Sequence, residues 1–142
     1  MVDQRPPRRY QRIGAYGICE DAGRILLVRA SVHSNAPGQW FLPGGGLDHG
    51  EDPVAGLHRE LREETGLAID QVSLLGVLSD IWPLANGSTV HTVRLVYRIG
   101  AWEGRLRDEA IGSSDHAEWV TRDAVTKLPV AAYVTEALRQ FG

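Results

Sequence analysis

Residues 45–67 read GGLDHGEDPVAGLHRELREETGL, a glycine loop that runs straight into an acid-rich helix. Asp52 is suited to cap that helix, and Pro53 to occupy its first position, where a missing N–H is harmless. Gly66 falls where a helix commonly ends in a left-handed residue, so the helix spans Pro53 to Thr65. At helical spacing Val54, Leu57 and Leu61 share one apolar stripe, and Glu60, Glu63 and Glu64 fall on the adjoining face. The helix can therefore pack on a sheet while holding its acids at the edge of a cleft. Neighbouring like charges on a helix repel by a few tenths of a kcal/mol per pair. Three carboxylates next to a glycine loop call for a cation. Hard divalent ions such as Mg2+ take oxygen ligands and bring substrate phosphates with them. Ion pairing on a solvated face, for example Arg59 with Glu63, is the competing use of these acids.

The remaining segments are short. Ile13–Cys19 and Ile25–Val28 are apolar runs joined by a turn over residues 20–24, and read as a β-hairpin. Trp40-Phe41-Leu42 is a brief strand stopped by Pro43 and three glycines. Val72–Leu78 and Thr89–Ile99 are strands, with Val93, Leu95 and Tyr97 on one side of the second. Residues 79–88, with Trp82-Pro83 and Asn86-Gly87, read as a loop between them, and residues 100–114 as irregular. Ala117–Thr121 is a strand, Arg122–Leu128 a short helix and Val130–Gln140 a terminal amphipathic one. Gly56, inside the acidic helix, marks close packing against a neighbour. Many strands with few helices between them predict an α+β fold with a mixed sheet flanked by helices.

With 142 residues the chain makes one domain. Residues 1–11, rich in Arg and Pro, read as a flexible arm, and residues 12–142 as the domain proper. A net charge of −3 gives no electrostatic footprint for long nucleic acids. No apolar run is long enough to span a membrane, and the polar start is not a signal peptide. Cys19 is the one cysteine, in an apolar stretch, so a reducing cytoplasmic setting is expected. The apolar strands and amphipathic terminal helix permit a homodimer.

The chain resembles the Nudix hydrolases. Their pattern is glycine, five residues, glutamate, seven residues, then Arg-Glu-apolar-any-Glu-Glu-any-Gly-apolar. Gly45, Glu51, Arg59, Glu60, Leu61, Glu63, Glu64, Gly66 and Leu67 meet every position of it. Trp40-Phe41-Leu42-Pro43-Gly44 before the motif and Glu118-Trp119-Val120 near the end are similar to the family's flanks. Asp48, where many members carry glutamate, is a mild departure.

The resemblance implies an α/β/α sandwich around a mixed sheet and hydrolysis of a nucleoside diphosphate linked to another group, with Mg2+ or Mn2+. It makes Glu60, Glu63, Glu64 and the Gly44 carbonyl the metal ligands. Arg59 would orient Glu60, Glu51 would brace the loop, and Gly45 and Gly66 would be structural. Glu60 or Glu63 would accept the water proton. Arg29 is a candidate for substrate phosphate, and Trp82 for stacking on a base. Asp115 or Glu109, from the loop before the late strand, would add a further carboxylate. His116 and His91 are weaker candidates for the cleft. Pro83 beyond the motif resembles the ADP-ribose pyrophosphatase subgroup, so ADP-ribose or nucleotide sugars lead as substrates. A nucleoside triphosphate pyrophosphatase of the MutT type is the alternative. A sensor that binds nucleotide without cleaving it is the third reading, which the complete acid cluster disfavours.

Overall fold

Strands alternate between two sheets as the chain runs. This computed structural model describes residues 4–109 and 112–142. In the first sheet β1 (Arg9–Ile18) lies parallel to β7 (Thr89–Glu103) and antiparallel to β5 (Gly44–Gly46). β6 (Ala68–Pro83) pairs antiparallel with β7, so the order is β5-β1-β7-β6 and the sheet is mixed. The second sheet is antiparallel: β3 (Arg24–Ala30) pairs with β2 (Glu20–Asp21), with β4 (Trp40–Phe41) and with β8 (Ser114–Thr121).

Among the described residues, three α-helices cover these sheets. α1 (Pro53–Thr65) has the expected bounds. The Asp52 carboxylate accepts from the Ala55 N–H at 3.0 Å, and Gly66 sits at φ 79° with its N–H on the Arg62 carbonyl. Leu57 and Leu61 are fully buried against Leu26, Tyr97 and Ile99. Truncating such a leucine to alanine costs about 2–5 kcal/mol. Val54, at the open first turn, stays 36% exposed and only edges the stripe. A Cβ on Gly56 would meet the Leu47 side chain at 2.5 Å, so the close neighbour is the loop before the helix. α2 (Arg122–Val125) is short, and α3 (Ala132–Phe141) buries Tyr133, Val134 and Ala137 in a second cluster with Ile25, Leu27 and Val96. The α+β class and the sandwich are as expected.

Four expectations need correction. Arg9 and Gln11, placed in the flexible arm, belong to β1, because Thr89 and His91 of β7 offer a parallel partner. The apolar runs of β1 and β3 are not a hairpin: the chain changes sheets at Cys19, and the hairpin is the short β2–β3 pair. β6 runs on through Trp82 and Pro83, so the loop shrinks to the turn around Asn86 and Gly87. A register shift between Leu74 and Gly76 breaks the alternation of β6, which hides its length from the sequence. β7 likewise continues to Glu103.

Candidate active site

The chain leaves the second sheet at Phe41 and enters the first at Gly44, crossing over the buried pair Leu42-Pro43. Two glycines make the landing possible. Gly44 has φ 139°, and a Cβ there would lie 2.1 Å from the Ala15 carbonyl oxygen. A Cβ on Gly45 would press on the Glu60 carboxylate at 2.9 Å. The loop backbone and the acidic face of α1 are therefore in direct contact.

Arg59 organises the cluster from the outside. Its Nε and Nη2 donate to both oxygens of Glu51, at 2.8 and 2.9 Å. Its Nη1 donates to Glu60 at 3.2 Å and to Glu63 at 3.4 Å. Glu51 also accepts the Asp48 N–H at 3.0 Å, and these bonds hold its carboxyl down to about 2. Glu51 thus ties the loop to the helix, while Glu63 stays half exposed.

Glu64 is the opposite case. It is only 5% exposed and accepts the Gly44 N–H at 2.7 Å. Burial pushes its pKa well above the ordinary carboxylate value, and the nearby charges of Glu60, Glu109 and Glu63 add to the rise. Glu60 is raised too, first by burial and then by Glu63 and Glu109, with Arg59 opposing. Among the described residues no three His, Cys, Asp or Glu side chains are already drawn together at metal-binding distance. The chemistry still fits a hard divalent cation. The side-chain donors are carboxylate oxygens, and two of them, Glu60 and Glu64, are desolvated, with burial the main cause that raises their pKa values.

A cavity of about 470 Å³ opens from this cluster. Gly44, Gly45 and Glu64 line one end, and Arg12, Asp80, Trp82, Thr92 and Arg94 of the first sheet line the wall. Tyr133 of α3 and the loop His33–Ala36 line it as well. Arg94 is buried and bonds both oxygens of Asp80, at 2.6 and 3.0 Å. Its guanidinium lies 3.8 Å from the Tyr133 ring centre and 5.0 Å from that of Tyr16.

The expected site residues divide. Glu60, Glu64, Glu63, Arg59, Glu51, Gly44 and Gly45 come together. Trp82 reaches the cavity, but from strand β6 and not from a loop. Arg29 and Asp115 pair with each other at 2.7 Å, both about 40% exposed, and neither lines the cavity. Of the two loop acids, Glu109 is the one whose charge reaches Glu60 and Glu64; its carboxylate accepts the Ser114 hydroxyl at 2.9 Å. His116 is held between Asp108 and Glu118, at 3.0 and 3.1 Å, which raises its pKa. His91 pairs with Gln11 at 3.3 Å and does not line the cavity.

Sequence reading missed Arg12, Asp80, Arg94 and Tyr133. One signal was there: with Val93, Leu95 and Tyr97 assigned to one side of β7, Arg94 must face the other layer.

The fold, the glycine loop and the acid helix define a hydrolase of phosphoanhydrides. The chain belongs to the Nudix family: the NUDIX domain matches residues 8–141. It is 31% identical over 133 residues to a MutT-like protein of Streptomyces ambofaciens, spanning 94% of this chain and 77% of that protein. It is 34% identical over 124 residues to the nucleoside triphosphatase NudI of Enterobacter, spanning 83% and 87%. The structure superposes on the MutT NUDIX hydrolase of Burkholderia pseudomallei with TM-score 0.78 and 30% identity, over 93% of this chain and 98% of that one. The substrates of this chain are of nucleotide type.

Proposed function

We propose that the chain is a Mg2+- or Mn2+-dependent pyrophosphohydrolase of nucleoside triphosphates. The observation that carries this reading is the buried Glu64 carboxylate on the Gly44 N–H, facing a cavity that continues to Trp82. The names of its relatives, a nucleoside triphosphatase and a MutT-like protein, support a triphosphate over the ADP-ribose type first expected.

A polyphosphate resists attack because its negative oxygens repel the nucleophile. Glu60, Glu63, Glu64 and the Gly44 carbonyl would hold the cation, with Glu109 as the loop acid. When bound, that ion neutralises phosphate charge and lowers the pKa of water. The remaining work belongs to the chain. Arg59 fixes the Glu60 carboxylate and is itself fixed by Glu51. Glu60, one-sixth exposed and held by Arg59, would accept a proton from the attacking water. Arg12, exposed at the cavity, offers a charge to phosphate, and Trp82 a face on which a base can stack.

The test is a substrate panel with Mg2+: ribo- and deoxynucleoside triphosphates, ADP-ribose and nucleotide sugars. Inorganic pyrophosphate with nucleoside monophosphate is the expected product. Turnover confined to ADP-ribose or nucleotide sugars restores the diphosphate reading. Binding without turnover of any of them makes the chain a sensor. Chelation with EDTA should abolish turnover and added Mg2+ restore it.

A further inference from the structure

Leu42 and Pro43 carry the chain from one sheet to the other, and Gly44 follows at once. Leu42 lies outside both β4 and β5, so no ladder supplies a partner for its N–H. That N–H instead donates to the Tyr133 hydroxyl at 3.1 Å, and the hydroxyl returns a long contact of 3.5 Å to the Leu42 carbonyl. Leu42 is fully buried and Tyr133 is 6% exposed, so the bond is largely shielded from bulk water. An unmade bond to a buried N–H costs about 1–3 kcal/mol.

Tyr133 is itself fixed on several sides. The Ala131 N–H donates to the Trp40 carbonyl and the Trp40 N–H to the Pro129 carbonyl, each at 3.0 Å, so the start of α3 is tied to β4. Phe41 stacks on the tyrosine ring at 6.0 Å and Tyr16 lies tilted at 5.3 Å. Arg94 covers the ring at 3.8 Å, and Asp80 grips both Nε and Nη2 of that arginine. From the tyrosine the path continues through Leu42 to Gly44, whose N–H holds Glu64. Glu64 and Tyr133 line the same cavity.

We propose that Tyr133, held by Arg94, is a positioning residue for the glycine loop: it fixes the crossover from β4 to β5 and so sets the facing of the Gly44 carbonyl and of Glu64. The proposal rests on the metal-dependent reading above and adds a residue far outside the motif to it. It also joins the nucleotide cavity to the cation end, because Arg94 and Tyr133 line that cavity.

Tyr133→Phe deletes only the hydroxyl. Two readouts are needed: the affinity of the metal-free full chain for Mn2+ alone, by electron paramagnetic resonance titration, and kcat and KM on the triphosphate that the wild type cleaves best. Loss of a partner that orients a metal ligand typically costs about 10–100-fold in metal affinity or activity. Y133F is expected to lose both Mn2+ affinity and kcat within that range, with KM unchanged. Val134→Ala, a cavity in the same helix that removes no hydrogen bond of the path, should lower the melting temperature and keep both. Arg94→Lys retains a charge for Asp80 and loses the flat group over the ring, so it should move in the direction of Y133F.

Wild-type Mn2+ affinity and kcat in Y133F overturn the proposal. So does an equal loss in V134A, which would make the effect one of general stability. If Y133F does not fold, R94K decides, and unchanged Mn2+ affinity there overturns it. A wild-type chain that neither binds Mn2+ nor cleaves any nucleotide removes the metal-dependent reading itself, and the proposal with it. Wild-type Mn2+ binding with an unaffected Y133F removes the proposal alone.

Discussion

At one end of the cavity, Gly44, Gly45 and Glu64 come from one short stretch of chain, with Glu60 beside them against Gly45. At the other, Arg12, Trp82, Arg94 and Tyr133 come from β1, β6, β7 and α3. The first end gets its geometry from helix period and backbone contact: Glu60 and Glu64 are four apart, and glycines let the loop touch them. The second gets its geometry from strand register and sheet packing, such as Trp82 opposite Val90. A local motif places atoms tightly, so changes there should act on the chemical step. A wall assembled from distant elements shapes a volume, so changes there should act on substrate binding, except at Tyr133 and its partner Arg94, which bear on the glycine loop.

The sharpest break of that contrast is Glu64→Gln. Outer partners of metal ligands are worth about 10–100-fold, and a ligand itself lies above that range. Turnover should therefore fall by more than about a hundredfold, measured at saturating substrate and Mg2+. The fold should survive, because an amide oxygen still accepts the Gly44 N–H. The same variant reports on stability. The folded pKa of Glu64 lies above its ordinary value of 4.5, so the folded state binds the extra proton. Its contribution to stability is full below pH 4.5 and is lost as pH rises through the raised value. In EDTA the wild type should melt at lower temperature as pH rises across that window, and E64Q should lose much of the slope. A wild-type melting curve that is flat with pH, or an E64Q enzyme of normal turnover, removes Glu64 from the cation end.

Arg59→Lys is the next largest. Lysine cannot reproduce the two-oxygen bond to Glu51 while also reaching Glu60 and Glu63. As a loss of an orienting partner it should cost about tenfold or more in kcat, with KM little changed. A change confined to KM would mean that Arg59 serves the substrate directly.

The contrast also explains what the sequence disclosed. Helix caps, helix bounds and the acid face of α1 follow from neighbours in the chain, so Asp52, Pro53 and Gly66 were enough to place them. The length of β6 was hidden, because its bulge at residues 74–76 shifts the alternation and Trp82-Pro83 imitates a loop. The Arg94–Asp80 pair was hidden for a different reason. It depends on the register that sets Asp80 across β6 near Arg94 of β7, and register is not written in either strand alone. The two loop acids, Glu109 and Asp115, could not be separated by spacing; burial and the competing partner Arg29 separate them in three dimensions.

On the assembled side, Trp82→Ala should raise KM by roughly tenfold, as expected for one lost base-stacking face, and leave kcat within roughly the same decade. Equal KM in the variant and the wild type would leave Trp82 as a wall residue without a base upon it. A loss confined to kcat would erase the distinction between the two ends.

Arg29→Ala should have the smallest effect, although the sequence made Arg29 a candidate for substrate phosphate. Its guanidinium donates to Asp115 at 2.7 Å and lies 5.8 Å from the Trp40 ring, with 42% of the side chain in solvent. Exposed pairs of this kind contribute about 0–1 kcal/mol. The charge also faces away from the cavity that Arg12 and Arg94 line. Melting temperature and kcat/KM should therefore stay close to wild type. A large loss in kcat/KM that Arg29→Lys restores would mean that substrate draws Arg29 off Asp115 and into the site. The site would then extend past Arg12 to the second sheet, and the assembled wall would share in the chemical step.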